Sequence, residues 1–296
     1  MQPTTRLSFS QRHPFIFGFL LIMVAVALFT GATATFRHLT DAGSFGGPRI
    51  GIVRIEGMIG DVRKTLEWMR KLAEDRTVRG VLVRVDSPGG AVAPSQELHD
   101  AVKRLAADKP VVVSMGSLAA SGGLMVSTGA TRIVANPATI TGSIGVKMEM
   151  PNVQGLMDKL GVARQTLVSG DLKDAGSPFR AMSEAERAYF QSIIMEMYGQ
   201  FVNMIAEDRN IPVEKVRSFA DGRILTGSQA LELGLVDKLG SEAAAMDVLL
   251  ALVDLKGEKP VFIEPPKERS WVREVLESAL GIAPPQNMGQ PAFLYY

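Results

Sequence analysis

The run VVVSMGSLAASGGLMVSTG, residues 111–129, decides how the rest of the chain is read. It opens on three consecutive valines, a β-branched run that predicts a buried strand. It then breaks into small residues at Ala119, Ala120, Ser121, Gly122 and Gly123 and resumes as an apolar segment that predicts a helix. A serine between a strand and a helix start can leave its hydroxyl exposed, while the helix N-terminus offers unpaired N–H groups beside it. Two glycines after it let another backbone come close. Alone, such a Ser-Gly-Gly describes an N-cap serine in a tight loop; the surroundings change that reading.

Working outward, the segment before it is an alternation of strands and helices. Residues 50–55 (IGIVRI) and 81–85 predict strands, and 61–75 and 94–107 predict helices, with Asp61 as a possible cap of the first. Strand starts at 50, 81 and 111 lie about thirty residues apart, the length of a βαβ unit, which argues for parallel strands. Pro94 makes the start of the second helix less sharply defined. Further short strands are expected at 132–135 and 165–168. A long helix is expected over 183–210, opened by a Ser183–Glu186 capping box. Short helices follow at 212–222 and 227–233, then a strand around Leu235 and Val236, a helix over 241–253 and a strand at 261–263. Residues 271–280 suit an amphipathic helix, and the Pro/Gln/Gly-rich tail after Ala283 suits a mobile end.

The fold class is therefore α/β. With 296 residues, 46% hydrophobic and 21% charged, the chain has material for a substantial core. A net charge of +1 gives no reason to expect a nucleic-acid partner. The absence of cysteine excludes disulfides, thiolate metal sites and a cysteine nucleophile. Residues 15–36 carry no charge, and as a helix they would span about 33 Å, enough for a bilayer core. Ala32, Thr33 and Ala34 resemble a signal-peptide cleavage site, but the apolar run continues past them and favours an uncleaved anchor. Arg6 and Arg12 before it, against Arg37, Asp41 and Arg49 after it, weakly bias the N-terminus toward the cytoplasm. The expected organisation is a cytoplasmic segment at 1–14, a transmembrane anchor at 15–36 and a linker at 37–49. A catalytic domain at 50–256 and a C-terminal extension at 257–296 complete it.

Acyl transfer is the chemistry these loops suit. Asp86, Ser87, Pro88, Gly89 and Gly90 follow the second strand, and Ser121 follows the third, so both loops should open on one sheet edge. The N–H groups of Gly90 and Gly122 would then form a two-donor oxyanion hole beside a Ser121 nucleophile. A serine nucleophile needs a base. His13 and His38 flank the membrane segment, His99 lies within an amphipathic helix where a solvated or structural role is expected, and no histidine follows Ser121. A lysine is the remaining common base. Lys173, in an irregular loop, and Lys147, just after TGSIG, are rivals that residue chemistry alone leaves open.

The motifs DSPGG (86–90), MGSLAASGG (115–123), TGSIGV (141–146) and SGDLKDAGSP (169–178) together resemble the bacterial signal peptide peptidase A family, in its short single-copy form. The resemblance covers roughly residues 50–239. It implies the crotonase/Clp-protease-like ββα superhelix, here preceded by one transmembrane helix. It implies Ser121 as nucleophile, Lys173 as general base, Ser143 as hydrogen-bond support for the lysine, and Gly90 and Gly122 as the oxyanion hole. It further implies a serine endopeptidase of the inner membrane, with its catalytic domain on the periplasmic side and with neither metal nor cofactor. Substrates would be signal-peptide remnants and other hydrophobic peptides. Partners would be copies of itself in a ring, Ser121 of one protomer meeting Lys173 of the next. Gly122, Gly123, Leu124 and Met125 depart locally from the family, where an aromatic more often follows the glycines; this bears on pocket lining. A crotonase-like acyl-CoA enzyme and a non-catalytic membrane scaffold are the alternatives. The first lacks evident CoA-binding features, and the second needs neither Ser121 nor Lys173.

Overall fold

A computed structural model describes residues 13–41 and 48–265. Helix α1 is Pro14–Asp41. Then come β1 Arg49–Glu56, α2 Arg63–Glu74, β2 Val78–Ser87, α3 Val92–Asp108, β3 Val111–Ala119, α4 Gly122–Thr128, β4 Arg132–Ala135, β5 Ile140–Gly142 and α5 Gln154–Leu160. The long α6 Glu184–Arg209 is followed by α7 Val213–Arg217, β6 Ile224–Thr226, α8 Gly227–Glu232, β7 Lys238–Leu239, α9 Glu242–Leu252 and β8 Val261–Ile263.

Within α1, residues Phe15–Thr33 are long and apolar enough to cross a bilayer, with a mean hydropathy of 2.5 and none of that stretch buried. The described residues through Ile263 belong to one compact unit. The helix and tail expected after residue 270 lie outside the described residues.

The expected parallel core is present. β1 pairs with β2 and β2 with β3, all parallel, and β8 adds a parallel edge beside β1. Beyond β3 the sheet divides: β4 pairs β3 and β7 in parallel, while β5 joins β3 at Leu118↔Ile140 and pairs antiparallel with β6. The period of two along the strands explains the two cores. Val81, Val83 and Val85, like Val111, Val113 and Met115, enter the larger cluster with Leu98, Val102, Leu124, Phe201 and Ile205 from the helices. Leu82 and Val112 point the other way, onto Ala245, Leu249 and Val253 at α9. Helix α9 packs closely, for a side chain at Gly80 would stand 2.8 Å from Leu249 Cδ1.

Several expectations need correction. Residues 165–168 form no strand. They are exposed, and no neighbouring strand offers them a ladder. The strand expected at Leu235 and Val236 lies instead at Lys238–Leu239, because the two apolar residues are buried in the turn that precedes it. Val62, not Asp61, holds the cap position of α2; Asp61 takes the Arg63 N–H at 3.2 Å and its guanidinium as well. Pro94 falls in the first turn of α3, where its missing N–H costs nothing. The Ser183–Glu186 capping box forms as expected.

Candidate active site

Two loops leave the same edge of the parallel sheet, and a third backs them. The first follows β2. Ile59 makes a parallel bridge with Gly90: its N–H donates to Gly89 O at 2.9 Å, and its carbonyl accepts from Ala91 N at 2.9 Å. This ladder uses the flanking residues and leaves the Gly90 N–H outside it. Gly90 has to be glycine, since a Cβ there would collide with the Ile59 backbone. Gly89 holds φ +100°, and its own missing Cβ would lie 2.7 Å from Gly122 N and 2.9 Å from Ser121 Cβ. The Pro-Gly-Gly loop is therefore in contact with the Ser-Gly-Gly turn.

That turn is strained. Ser121 has φ 52° and ψ −118°, a conformation normally reserved for glycine at the first corner of a type II′ turn. Its N–H donates to Gly142 O at 2.8 Å, and its carbonyl starts α4 by accepting from Met125 N at 2.9 Å. Its hydroxyl makes no capping bond to the helix. At the start of α4 the N–H of Gly122, like that of Gly90, meets no acceptor among the described residues. A Cβ on Gly122 would strike Ser95 Oγ, whose side chain is buried beneath it.

The third loop continues β5. Thr141 is buried and donates from Oγ1 to Ala119 O at 2.6 Å, which ties β5 to the end of β3. Ser143 follows with φ 51°, its N–H bound to Arg223 O at 2.7 Å. Through Gly142 O, Ser143 is one residue from the backbone bond that holds Ser121. The structure thus brings Gly90, Ser121, Gly122 and Ser143 into one neighbourhood.

Lys173 is not joined to that group within the chain. It lies in a series of turns, its N–H on Gly170 O at 3.0 Å, with its side chain exposed and bonded to no other side chain among the described residues. The segment around it, residues 146–183, is nearly all surface, with Leu156, Leu160, Val162, Val168 and Leu172 exposed and Leu167 99% exposed. Lys147 pairs with Glu149 at 2.9 Å on the surface.

A polar cluster that the sequence did not disclose sits behind α4. His99, on α3, is buried; Nε2 lies 2.6 Å from Asp208 Oδ2 and Nδ1 3.0 Å from Asp100 Oδ1. Thr128, at the far end of α4, donates to the same Asp208 oxygen at 2.9 Å, and Lys103 reaches Asp208 Oδ1 at 2.8 Å. Burial opposes charging His99, but its bonds to Asp208 and Asp100 outweigh that and raise its pKa. Burial likewise works against the Asp208 carboxylate, and the bonds from His99 and Lys103 hold it down at about 2. The histidine reading is therefore structural: His99 braces the helix that Ser121 begins. The faint signal was its place on an amphipathic helix; its partner lies 109 residues away in sequence.

Comparison with known proteins gives the family. The family model Peptidase family S49 matches residues 103–256. A putative protease of Synechocystis is 43% identical over 222 residues, 74% of this chain and 80% of that protein. A putative signal peptide peptidase SppA of Enterococcus faecium is 42% identical over 185 residues, 62% of this chain and 54% of that protein, so the chain spans about half of that relative. Among solved structures, a ClpP1 mutant from Listeria monocytogenes is similar at 17% identity with a TM-score of 0.46, over 66% of this chain and 94% of that one. The chain belongs to peptidase family S49. It is a protease, and its sheet is mixed α/β, as the fold class expected from the sequence requires.

Proposed function

We propose that the protein is a membrane-anchored serine endopeptidase that uses a Ser121/Lys173 dyad to cut signal-peptide remnants and other hydrophobic peptides. The observation that carries the reading is the turn at Ser121: a strained serine with an uncapped hydroxyl, flanked by the unpaired N–H groups of Gly90 and Gly122. Strain of this kind persists only where the surroundings over-determine it, and it collects at reactive groups.

The chemistry follows. Lys173, as the neutral amine, takes the Ser121 Oγ proton while Oγ bonds to the peptide carbonyl carbon. Gly90 N–H and Gly122 N–H stabilise the oxyanion. Collapse breaks the C–N bond, and the Lys173 ammonium gives its proton to the departing amine. Water then attacks the ester and yields its proton to Lys173; the carbon–Oγ bond breaks, Lys173 returns that proton to Ser121 Oγ, and the acid product leaves. Ser143 supports the lysine by accepting one of its N–H bonds. No metal or cofactor enters these steps.

Lys173 would serve the neighbouring protomer of a ring. Its exposure, and the exposed leucines and valines of residues 146–183, support an interface on this arm. Residues 15–36 would anchor the chain, N-terminus in the cytoplasm and peptidase domain on the periplasmic side of the inner membrane.

Mixing two inactive variants tests the reading. Ser121→Ala and Lys173→Ala protein, co-assembled in detergent, should regain part of the activity toward a fluorescent hydrophobic peptide. Verified mixed assemblies that stay inactive would exclude the shared dyad.

A further inference from the structure

The arm that bears Lys173 is anchored by one polar junction. Arg180 reaches both carboxylate oxygens of Glu186, Nη1 to Oε2 at 2.9 Å and Nη2 to Oε1 at 2.5 Å. Its other bonds go to Asp174, Nε to Oδ2 at 3.1 Å and Nη2 to the carbonyl at 2.9 Å, and to Ala181, Nη1 to the carbonyl at 3.3 Å. Asp174 is the residue after Lys173. Glu186 is 3% exposed in the first turn of α6, where it also accepts the Ser183 N–H at 2.8 Å. One planar guanidinium therefore links a buried helix terminus to the turn carrying the lysine. Only arginine has donors in that planar fork; a lysine in its place could not hold Glu186 bidentately while also bonding Asp174.

Two features separate this junction from an ordinary helix brace. The Ser183–Glu186 capping box already satisfies the start of α6 without Arg180. Arg180 also occupies the Asp174 carboxylate, the nearest acid in sequence to Lys173. Left free, that carboxylate would compete for the lysine ammonium and oppose its use as a base. Asp171 is the other acid of the turn, and among the described residues no charged side chain of another element pairs with Lys173.

We propose that Arg180, held by Glu186, is a positioning residue that fixes the backbone of the Lys173 turn and keeps Asp174 away from the lysine amine. This rests on Lys173 being the base. The arm is otherwise held by little: Gly176, at φ +78°, packs on Met150 and Phe190, and Arg164 stacks over Phe179 at 4.5 Å.

The test uses the full chain in detergent with a fluorescent hydrophobic peptide, and compares Arg180→Ala, Arg180→Lys and the double variant Arg180→Ala/Asp174→Asn. Arg180→Ala and Arg180→Lys should each lower kcat by about tenfold or more, as misplacement of a catalytic group does. KM should stay within about threefold, because substrate contacts are untouched. The acid limb of the kcat/KM profile should move up by about one pH unit in Arg180→Ala, where Asp174 is released. It should return in the double variant. Parent kcat and an unmoved profile in Arg180→Ala would overturn the proposal. If Arg180→Ala fails to fold, parent kcat in Arg180→Lys would overturn it alone. Ser121→Ala and Lys173→Ala run alongside: activity in either removes the dyad itself, whereas two dead controls with a fully active Arg180→Ala remove only the clamp.

Discussion

The serine side and the lysine side of the proposed site are built in opposite ways. Gly122 and Gly123 are buried, Ser121 is half-buried, and the neighbouring loops are locked by Ile59–Gly89, Ala91–Ile59, Ser121–Gly142 and Thr141–Ala119 bonds. Lys173 stands on an arm whose leucines and valines face outward, pinned by one arginine. The difference teaches where preorganisation comes from. A strained serine can be held because tight glycine contacts leave its backbone no alternative. An exposed arm has few apolar contacts of its own, so its local stability is at the low end, and in the proposed ring a neighbour would complete it. In the proposed ring, the serine side would belong to the fold and the lysine side to the assembly.

The largest effect that bears on this contrast is loss of either reactive group. Ser121→Ala and Lys173→Ala should each lower peptide cleavage by at least about a thousandfold, as removal of one member of a catalytic unit does. Neither change should move stability by more than about 0.5 kcal/mol, since both groups lack structural bonds. Cleavage assays beside thermal melts decide it, and a Lys173→Ala protein that turns over normally would dissolve the comparison.

Glycines sharpen it next. Gly90→Ala pushes a methyl into the Ile59 backbone and displaces the N–H proposed for the oxyanion hole; a loss of about a hundredfold in kcat is expected, with lowered stability. Gly155, in α5 on the arm, has nothing within 4 Å of its would-be Cβ. Gly155→Ala should leave activity unchanged and raise stability by up to about 1 kcal/mol through helix propensity. Equal sensitivity of the two positions would show that the arm is as tightly built as the sheet edge.

The same contrast governs what could be read from sequence. The β-branched runs at 81–85 and 111–113 announced parallel strands because both faces of the sheet are covered, so nearly every residue is apolar. The glycines at 122 and 123 announced close approach, and the contacts there leave no room for a side chain. The arm gave no such signal. Gln165, Thr166, Leu167 and Val168 have strand-like composition but no partner within the chain, so local propensity misled. Its helix at Gln154–Leu160, buried nowhere, lacked an amphipathic pattern to betray it. The Asp208–His99 and Arg180–Asp174 bonds are tertiary, and nothing periodic marks such pairs.

The cluster behind α4 gives a smaller effect, on stability against pH. His99 binds its proton more tightly folded than unfolded, so its contribution is complete below the ordinary value of 6.5 and is lost as pH rises through the higher folded value. Asp208 has the opposite sign: its contribution is complete above 3.8 and is lost as pH falls toward about 2. The Thr128–Asp208–His99 brace is therefore intact from 3.8 to 6.5 and weakens on both sides. His99→Gln should cost about 2 kcal/mol at pH 6, the scale of a buried bond to a charged group. It should also flatten the alkaline fall in the melting temperature. Melts across pH that run parallel in the two proteins would deny His99 this part.

The smallest effect concerns the rival lysine. Lys147 and Lys173 are both exposed, so exposure does not separate them. Their attachments do. Lys147 pairs with Glu149 at 2.9 Å, with the two side chains 78% and 76% exposed. A surface pair of this kind contributes about 0–1 kcal/mol, because solvent screens it and two long side chains must be ordered to make it. Its ammonium is bonded to a carboxylate on its own loop. At Lys173 the adjacent carboxylate is instead taken by Arg180. Lys147→Ala should therefore change stability by less than about 0.5 kcal/mol and peptide cleavage by less than about twofold. The informative comparison is Lys147→Ala beside Lys173→Ala in one preparation and one assay. Loss of cleavage in the first with retention in the second would transfer the base to the TGSIG loop, next to Ser121 in the same chain. The site would then need no neighbour, and the division between a finished serine side and an unfinished lysine side would disappear.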